Sequence, residues 1–309
     1  MAGDDLSERL VDSLNAAYGV HAGYRAAHAK GVLCAATFMP APEAATLCVA
    51  EHLKRPVRAH VRFSNGSGDP TVPDAARDAR GMAVKLYLSD NTTTDIVTLS
   101  LPAFFARTPE DLLAFNEARR PDPNTGQPDV NKVGEYLAAH PEAVTAVNAA
   151  MTHPIPASFA TLTYHSLHAY GFEPSDGAVR YGRYHLVPNV GEHSLTDEEA
   201  ATKPHDYLRD ELEQRLNQTA AVFQLNVEIA DHDDPVDDPT AGWPDGRETR
   251  ELGRLEIAGL ANDREHDGDI LVFDPTRVTK GISLTNDPIL RARPGAYSVS
   301  IARRTRAAT

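Results

Sequence analysis

The sequence is poor in cysteine, tryptophan and basic residues. Its 309 residues include two cysteines and one tryptophan, and 30 lysines and arginines face 44 acidic residues, for a formal charge of -14. Cys34 and Cys48 are too few for a disulfide framework and lack metal-ligand spacing, so we expect reduced thiols and a cytoplasmic protein. The acidic balance repels phosphate backbones and anionic membranes, so nucleic acid is not an expected partner.

Long apolar runs are also missing. No stretch approaches the ~18–20 apolar residues of a membrane span, and the acidic N-terminus shows neither the basic nor the apolar region of a secretory signal. We therefore expect no membrane association. The contents of 41% hydrophobic and 24% charged residues are those of soluble globular proteins. A chain of this length can form one large domain or two small ones.

Hydrophobic periodicity predicts an α+β protein. Leu6, Leu10 and Leu14 repeat at helical spacing near the N-terminus. Further helices are predicted from Pro109 and over residues 129–139, 141–151, 205–216 and 287–297. Strand-like patterns cover residues 31–39, 57–65, 79–88, 94–100, 159–172, 178–188, 219–230 and 250–260, with a hairpin turn at 174–177. Predicted strands are followed by predicted helices and then by further strands, with short connections. This order indicates an antiparallel β-barrel that carries helices.

Two side chains near the C-terminus point to metal chemistry. Arg293 and Tyr297 stand four residues apart in a predicted helix, which places them on one face at roughly 5–6 Å between Cβ atoms. The permanent cation can then favour the phenolate form of the tyrosine. Free tyrosine loses its proton near pH ~10, so a phenolate at neutral pH needs both a cation and a metal, such as ferric iron. Taken alone, the pair also fits a surface or packing role.

Ordered motifs along most of the chain support the metal interpretation. They are Arg25-Ala26-Ala27-His28-Ala29-Lys30-Gly31, Val61-Arg62-Phe63-Ser64, residues 78–85, Pro102-Ala103-Phe104-Phe105, residues 238–244, Phe273-Asp274-Pro275, Gly281-Ile282 and the Arg293/Tyr297 pair. In order and spacing these motifs resemble the haem catalase family over about residues 20–304. The resemblance implies an antiparallel eight-stranded β-barrel with surrounding helices, which encloses a haem b with ferric iron.

The length of the chain resembles that of a small family member. Typical catalases continue well beyond the proximal tyrosine into a wrapping segment and a helical domain, whereas this sequence ends twelve residues after Tyr297. We therefore expect residues 1–309 to form a single haem-binding domain without a C-terminal helical or flavodoxin-like domain, similar to minimal, catalase-related peroxidases. Family members associate as dimers or tetramers, and a homodimer is expected here.

The resemblance assigns two residues to the open side of the haem. His28 would take a proton from one peroxide oxygen and return it to the other before the O–O bond breaks. Ser64 would hydrogen-bond the second ring nitrogen of His28 and thereby select its tautomer. From the residues alone, Ser64 also fits an ordinary strand hydroxyl.

The opposite side of the haem is assigned in the same way. Tyr297 would bind the iron, as tyrosine is already known to do in catalases. Arg293 would temper its negative charge, and His168 would link Arg293 to Asp287. Asp287 followed by Pro288 also reads as the cap and first residue of a helix, which explains this aspartate equally well, and both roles are compatible.

The resemblance also assigns arginine and phenylalanine side chains to binding of the haem macrocycle. Haem carries two propionates, and buried anions require cations beside them. The matching arginines are Arg25, Arg62 and Arg304, with Arg303 as an alternative to the last. Phe63 and Phe104 would pack against the porphyrin.

The sequence departs from the family at one position of the open side. Full catalases carry a distal asparagine in a Gly-Asn-Asn-x-Pro run, and an ungapped match places Leu99 at that asparagine. Ser100 would point to the other face of the strand and is no substitute. A peroxide molecule would lose a polar anchor, so we expect peroxidase activity with weak or absent catalase turnover.

Three functions are consistent with these observations. The first is a haem peroxidase that reduces hydrogen peroxide or organic hydroperoxides with a small electron donor. The second is an isomerase or dehydratase of fatty-acid hydroperoxides, similar to allene oxide synthases, on the same scaffold. The third is a non-catalytic haem-binding or storage protein, against which His28 argues because a carrier needs no distal base.

Overall fold

A computed structural model describes residues 2–262, 264 and 270–306. Helices in the described part are α1 Ala2–Tyr18, α2 Ala44–Leu47, α3 Pro109–Ala118, α4 Val130–Ala139, α5 Val144–Met151, α6 Asp197–Ala201, α7 Tyr207–Leu216 and α8 Pro288–Arg306. Strands are β1 Gly31–Pro40, β2 Val57–Asn65, β3 Arg80–Tyr87, β4 Thr93–Leu99, β5 Ile155–Pro156, β6 Tyr164–His165, β7 Tyr170–Phe172, β8 Arg180–Pro188, β9 Ser194–Leu195, β10 Ala221–Ile229, β11 Thr249–Leu260 and β12 Ile282–Leu284. Short 3-10 turns cover Glu51–Leu53, Pro141–Ala143 and Phe159–Thr161.

Eight strands close into a barrel. Their order is β10-β11-β1-β2-β3-β4-β6-β8, and β8 pairs back to β10. Every one of these pairings is antiparallel. Closure gives each barrel strand two neighbours and removes the open edges of a flat sheet. The predicted antiparallel eight-stranded barrel with helices is therefore confirmed.

One predicted strand was wrong. Residues 159–172 do not form a continuous strand but a 3-10 turn followed by β6 and β7, which both pair with β8. The Ser158 hydroxyl accepts the Ala160 N–H at 3.0 Å and thereby starts the turn. Between the two short strands, the Ser166 hydroxyl donates to the His168 carbonyl. This local bond turns residues 166–169 away from regular pairing.

Side-chain alternation on β2 separates the core from the outer surface. Phe63 is fully buried inside the barrel, with its ring stacked on Phe159 at a centroid distance of 5.4 Å and close to Phe223 at 6.1 Å. Such aromatic pairs contribute about 0.5–1.5 kcal/mol beyond their buried area. Neighbouring strand residues point to opposite faces, so Arg62 and Ser64 lie on the outer face.

Three helices cover that outer face. α1 packs against α3 and α8. At the contact between α1 and α8, a Cβ atom at Gly295 would lie 2.1 Å from the Ser7 hydroxyl oxygen, so any larger residue would displace the Ser7 side chain. α3 begins in a capping box, in which Thr108 accepts from the Asp111 backbone and Asp111 accepts from the Thr108 backbone. Barrel and helices thus enclose a space between them.

A buried histidine in the core gives a prediction about acid stability. His52 is 1% exposed beside Phe38, and neither ring nitrogen has a hydrogen-bond partner in the described part of the chain. Burial lowers the pKa of His52 to about 4. Between pH 6.5 and about 4 the unfolded chain therefore binds a proton that the folded protein does not, and stability falls as the pH falls.

Replacing His52 by leucine is expected to remove this contribution. The difference in the free energy of unfolding between pH 7.5 and pH 5 would shrink by about 2 kcal/mol, as measured by urea denaturation at the two pH values. The matched control is His232→Gln, whose side chain is 99% exposed and should leave the difference unchanged. An H52L difference equal to that of the unchanged protein would contradict the assignment.

Candidate active site

A cavity of about 730 Å³ lies between the outer face of β2, β3 and β4 and the helices α1, α3, α5 and α8. Most residues singled out by sequence line it: Arg25, His28, Arg62, Ser64, Phe104, His168, Arg293, Tyr297 and Arg304. Asp287 lies directly behind His168. The chain therefore brings together groups that are up to 279 positions apart, from Arg25 to Arg304.

His28 is held in an unusual backbone conformation. Its φ angle of 57° lies in the left-handed region, which costs a non-glycine residue on the order of 1–3 kcal/mol. Two bonds hold it there: the His28 N–H donates to the Gly66 carbonyl at 3.1 Å, and Arg62 Nη2 donates to the His28 carbonyl at 3.0 Å. The surrounding loop thus determines where the imidazole points.

The imidazole of His28 bonds a strand hydroxyl. Its Nδ1 lies 3.0 Å from Ser64 Oγ, and no described residue bonds Nε2. When Nδ1–H donates to Ser64, Nε2 carries a lone pair for the cavity. Burial, followed by the charges of Arg62, Arg293 and Arg25, lowers the pKa of His28 to about 3. The ring is therefore neutral at physiological pH and can act as a base.

Gly81 is a site residue that sequence reasoning missed. A Cβ atom at Gly81 would lie 2.7 Å from Ser64 Oγ and 3.0 Å from His28 Nδ1. Any side chain would therefore push the hydroxyl and the imidazole apart. The Arg80-Gly81-Met82 sequence inside a predicted strand was the available signal, because a glycine within a strand often marks a close approach.

The tyrosine and arginine of α8 meet as their spacing predicts. Arg293 Nε donates to the Tyr297 hydroxyl oxygen at 2.9 Å, and the guanidinium carbon lies 5.6 Å from the centre of the tyrosine ring. The helix continues through Pro294 to Arg306, beyond its predicted end at residue 297. A rigid helical face therefore presents the phenol oxygen with a cationic donor to the cavity.

A buried chain of bonds continues behind Arg293. Its Nη1 lies 2.9 Å from His168 Nε2, and His168 Nδ1 lies 2.5 Å from Asp287 Oδ2. Arginine only donates, so Nε2 must accept and the imidazole proton must sit on Nδ1, donating to Asp287. Burial lowers the pKa of His168, against the opposing effect of Asp287, which agrees with this neutral tautomer.

Asp287 serves the chain and the helix at once. Oδ2 accepts from His168, while Oδ1 accepts the backbone N–H groups of Ile289 at 2.8 Å and Leu290 at 3.1 Å. The two roles considered from sequence use different oxygens of the same carboxylate. One residue therefore ties the start of α8 to the arginine that bonds Tyr297.

All three predicted arginines, Arg25, Arg62 and Arg304, line the cavity. Arg304 is 6% exposed and lines the cavity, whereas Arg303 points outward to Asp12 at 2.5 Å. Of the two alternatives, Arg304 lines the cavity and Arg303 does not. Arg25 also donates to the Leu271 carbonyl at 3.1 Å, and Arg62 to the His28 carbonyl described above.

The expectation for Phe63 needs correction. Phe104 lines the cavity and packs on Phe105 at 4.2 Å, but Phe63 points into the barrel core and does not reach the cavity. The reason is the strand period: Arg62 and Ser64 both face the cavity, so the residue between them faces the other way.

The residue that the ungapped match aligns with the family's distal asparagine, Leu99, is apolar. Leu99 lines the cavity and pairs with Gly81 across β3 and β4. Ser100 does not line it, because its hydroxyl accepts the Arg80 N–H at 2.8 Å. This part of the wall is therefore apolar.

α3 and its C-cap residue Arg119 contribute two polar residues that the sequence motifs did not reveal. Asn116 and Arg119 line the cavity together with Leu112 and Phe115. The spacing of positions 112, 115 or 116, and 119 places them on one helix face, which is a signal that could have found them. To use this signal, one would need to know that this face of the helix borders a cavity.

Comparison with known proteins agrees with this geometry. A family model for catalases matches residues 10–309. The chain belongs to the catalase family. It is 39% identical over 307 residues to a catalase-related peroxidase of Mycolicibacterium paratuberculosis, covering 99% of this chain and 96% of the relative. A catalase-related peroxidase of Synechococcus elongatus is 29% identical over 300 residues, covering 97% of this chain and 88% of the relative.

Solved catalase structures share the fold. A fungal catalase superposes with a TM-score of 0.82 at 23% identity, covering 92% of this chain and 60% of its own. Catalase A of Saccharomyces cerevisiae gives a TM-score of 0.82 at 22% identity, covering 92% and 62%. The chain thus spans about three fifths of the length of these structures.

Family membership makes the chain an enzyme, an oxidoreductase that acts on peroxide. Catalases are haem proteins whose iron is held by tyrosine. In the part of the chain that the structure describes, no helix has the length and apolar content needed to cross a membrane.

Proposed function

We propose that this catalase-family protein is a haem b peroxidase that reduces hydrogen peroxide or organic hydroperoxides with a small electron donor. The observation that carries the proposal is the presence, in one cavity, of the Tyr297–Arg293–His168–Asp287 chain and of the neutral His28 imidazole on Ser64. The first is suited to hold a charged oxygen ligand. The second is suited to move a proton.

The residues present fit a ferric haem. A volume of about 730 Å³ lies within the ~300–1,000 Å³ range of small-molecule and cofactor sites. Tyr297 offers an oxygen ligand, and Arg25, Arg62 and Arg304 offer cations for two propionates. When bound, haem iron would supply the electron chemistry that breaks the O–O bond of a peroxide.

His28 would move the proton. With its pKa lowered to about 3, the ring enters the reaction neutral and can accept a peroxide proton at Nε2. It would then return that proton to the second peroxide oxygen, which leaves as water or an alcohol. Ser64 and Gly81 keep the ring in position, the first by its hydrogen bond and the second by leaving room.

Arg293 would support Tyr297 as the ligand of the iron. Its Nε–H donates to the phenol oxygen, and the neutral His168 between Arg293 and Asp287 orients the guanidinium. Outer partners of this kind typically change ligand affinity or activity by roughly 10–100-fold.

The apolar wall at Leu99 supports weak catalase turnover. Replacing Leu99 by asparagine is expected to raise oxygen release from hydrogen peroxide by roughly 3- to 10-fold per haem, the value of one hydrogen bond of about 0.5–1.5 kcal/mol. An oxygen electrode measures this rate. Leu101→Asn, a second leucine of the cavity wall, is the matched control and should not raise it. An L99N variant with full haem and an unchanged rate would contradict this part of the proposal.

The proposal as a whole is tested on the purified wild-type protein. Its optical spectrum should show one haem per chain with an oxygen ligand. Addition of hydrogen peroxide and then guaiacol should produce oxidised guaiacol over many turnovers. Haem bound without turnover of either hydrogen peroxide or an organic hydroperoxide would overturn the proposal in favour of a haem carrier.

A further inference from the structure

Arg119 is a cation of the cavity wall that none of the roles proposed above involves. Among the residues that the structure describes, six arginines line the cavity: Arg25, Arg62, Arg77, Arg119, Arg293 and Arg304. Three suit the propionates, Arg293 bonds Tyr297, and Arg77 pairs with Asp197 at 2.6 Å. Arg119 has no carboxylate within salt-bridge distance in the described ranges of the chain. A half-buried guanidinium in this situation favours an anion from outside the chain.

A network of neutral groups holds Arg119 in place. Asn116 Oδ1 accepts from its Nε at 3.0 Å and from its Nη2 at 2.8 Å, and the Tyr18 hydroxyl accepts from its Nη1 at 2.7 Å. The Asn116 amide in turn donates to Ser13 Oγ at 2.9 Å. The guanidinium carbon also lies 4.6 Å from the centre of the Tyr18 ring. The cation is therefore oriented before any ligand arrives.

The bonds that remain suit a carboxylate. A guanidinium has five N–H groups, and the three bonds above leave one on each terminal nitrogen. One remaining N–H on each of the two terminal nitrogens gives Arg119 two donors for the two oxygens of a carboxylate. None of the groups that bond Arg119 is charged, so its charge is not neutralised within the network.

The surroundings of Arg119 suit an apolar body attached to that carboxylate. The ring centre of Phe115 of α3 lies 5.4 Å from the guanidinium carbon, and the wall of the same cavity includes Leu10 and Leu14 of α1, Leu112 of α3 and Val147 of α5. Burial of such side chains against an apolar ligand favours binding.

We propose that Arg119 binds the carboxylate of an amphipathic organic substrate, whose apolar body lies along α1 and α3. This inference rests on the proposed peroxidase function, since it names the substrate class of the same cavity. The carboxylate can belong to an organic hydroperoxide or to an organic electron donor. Both share the chemistry that Arg119 recognises, and the experiments below separate them.

Binding is tested first, without turnover. Isothermal titration of the holoenzyme with dodecanoate should show binding that Arg119→Gln weakens by roughly 10–100-fold, the range for hydrogen bonds to a charged group. Dodecanol, which lacks the charge, should bind both proteins equally. Arg120→Gln is the matched control, because Arg120 is 56% exposed and carries the same charge on the next residue. Equal dodecanoate affinity in wild type and R119Q overturns the proposal.

Turnover then identifies the source of the carboxylate. In one arm, linoleic acid hydroperoxide is compared with its methyl ester, with guaiacol as donor. In the other, a phenolic acid is compared with its methyl ester as donor, with hydrogen peroxide as oxidant. In whichever of the two arms contains the true source of the carboxylate, R119Q should raise KM for the acid at least tenfold while KM for the ester and kcat stay unchanged. No selective change of KM in either arm overturns the substrate assignment.

Two other outcomes are distinguishable. Loss of haem in R119Q, read from the spectrum, would show that Arg119 serves a propionate and would overturn the proposal. If the wild-type protein shows no peroxidase turnover at all, the proposed function fails by itself. The titration with dodecanoate still decides whether Arg119 recognises carboxylates.

Discussion

Replacing His28 by asparagine is expected to lower kcat/KM for peroxide by roughly 10²–10⁴-fold, the contribution of a positioned general base. Asparagine tolerates the left-handed backbone of this position, with its φ of 57°, so the loop should keep its shape. Haem should be retained, because His28 holds no metal in the proposed arrangement. Stopped-flow kinetics with hydrogen peroxide and the optical spectrum measure both quantities.

The control for this variant is Ser64→Ala. It removes the hydroxyl 3.0 Å from His28 Nδ1 but leaves the imidazole in place, so a smaller loss is expected than for H28N. Peroxidase rates of H28N equal to those of the wild type, with haem bound, would show that His28 is not the base.

The pH dependence of the wild type follows from the same residue. Burial and nearby arginines lower the pKa of His28 to about 3, so the active neutral form is present above that pH and is lost only as the pH falls through about 3. The profile of kcat/KM should therefore show no histidine titration near pH 6.5. An inflection there that disappears in H28N would contradict the lowered pKa.

Replacing Tyr297 by phenylalanine is expected to have the second large effect. The change removes one oxygen atom, which is the proposed iron ligand and the acceptor of the Arg293 bond. Haem content should fall, and the rate per remaining haem should drop by more than the roughly 10–100-fold expected for loss of an outer partner. Haem content is measured as the pyridine complex, and the rate with guaiacol.

Arg293→Gln is the comparison that separates ligand from support. It keeps the phenol oxygen and removes the cation beside it, so the loss should stay within roughly 10–100-fold. A Y297F protein with the spectrum and turnover of the wild type would show that another residue holds the haem.

The elements of secondary structure could be predicted where their periodicity was strong. β1 to β4 lie within about one residue of their predicted bounds. The run 159–172 misled because its apolar content resembles a long strand, whereas hydrogen bonds from Ser158 and Ser166 break it. That break leaves His168 next to Arg293, a partner 125 positions away in sequence.

Most residues of the candidate site could be predicted from the sequence, but not all of the contacts between them. Alternation along β2 was sufficient to exclude Phe63 from the cavity, since its two neighbours were already assigned there. Arg119 carried no motif. Its position on the face of α3 was readable, but the closure of that face by α1, through Tyr18, is a contact between residues 101 positions apart.

Strand and helix periods sufficed to predict a barrel with helices, and the i, i+4 spacing sufficed to pair Arg293 with Tyr297, because both are local properties. The family and the other groups of the site followed from the resemblance of ordered motifs along the sequence. The directions of side chains, the neutral state of His28 and the bonding of one Asp287 carboxylate to both His168 and the start of α8 depend on packing between distant segments. Burial and the charges that it brings together exist only in the folded chain.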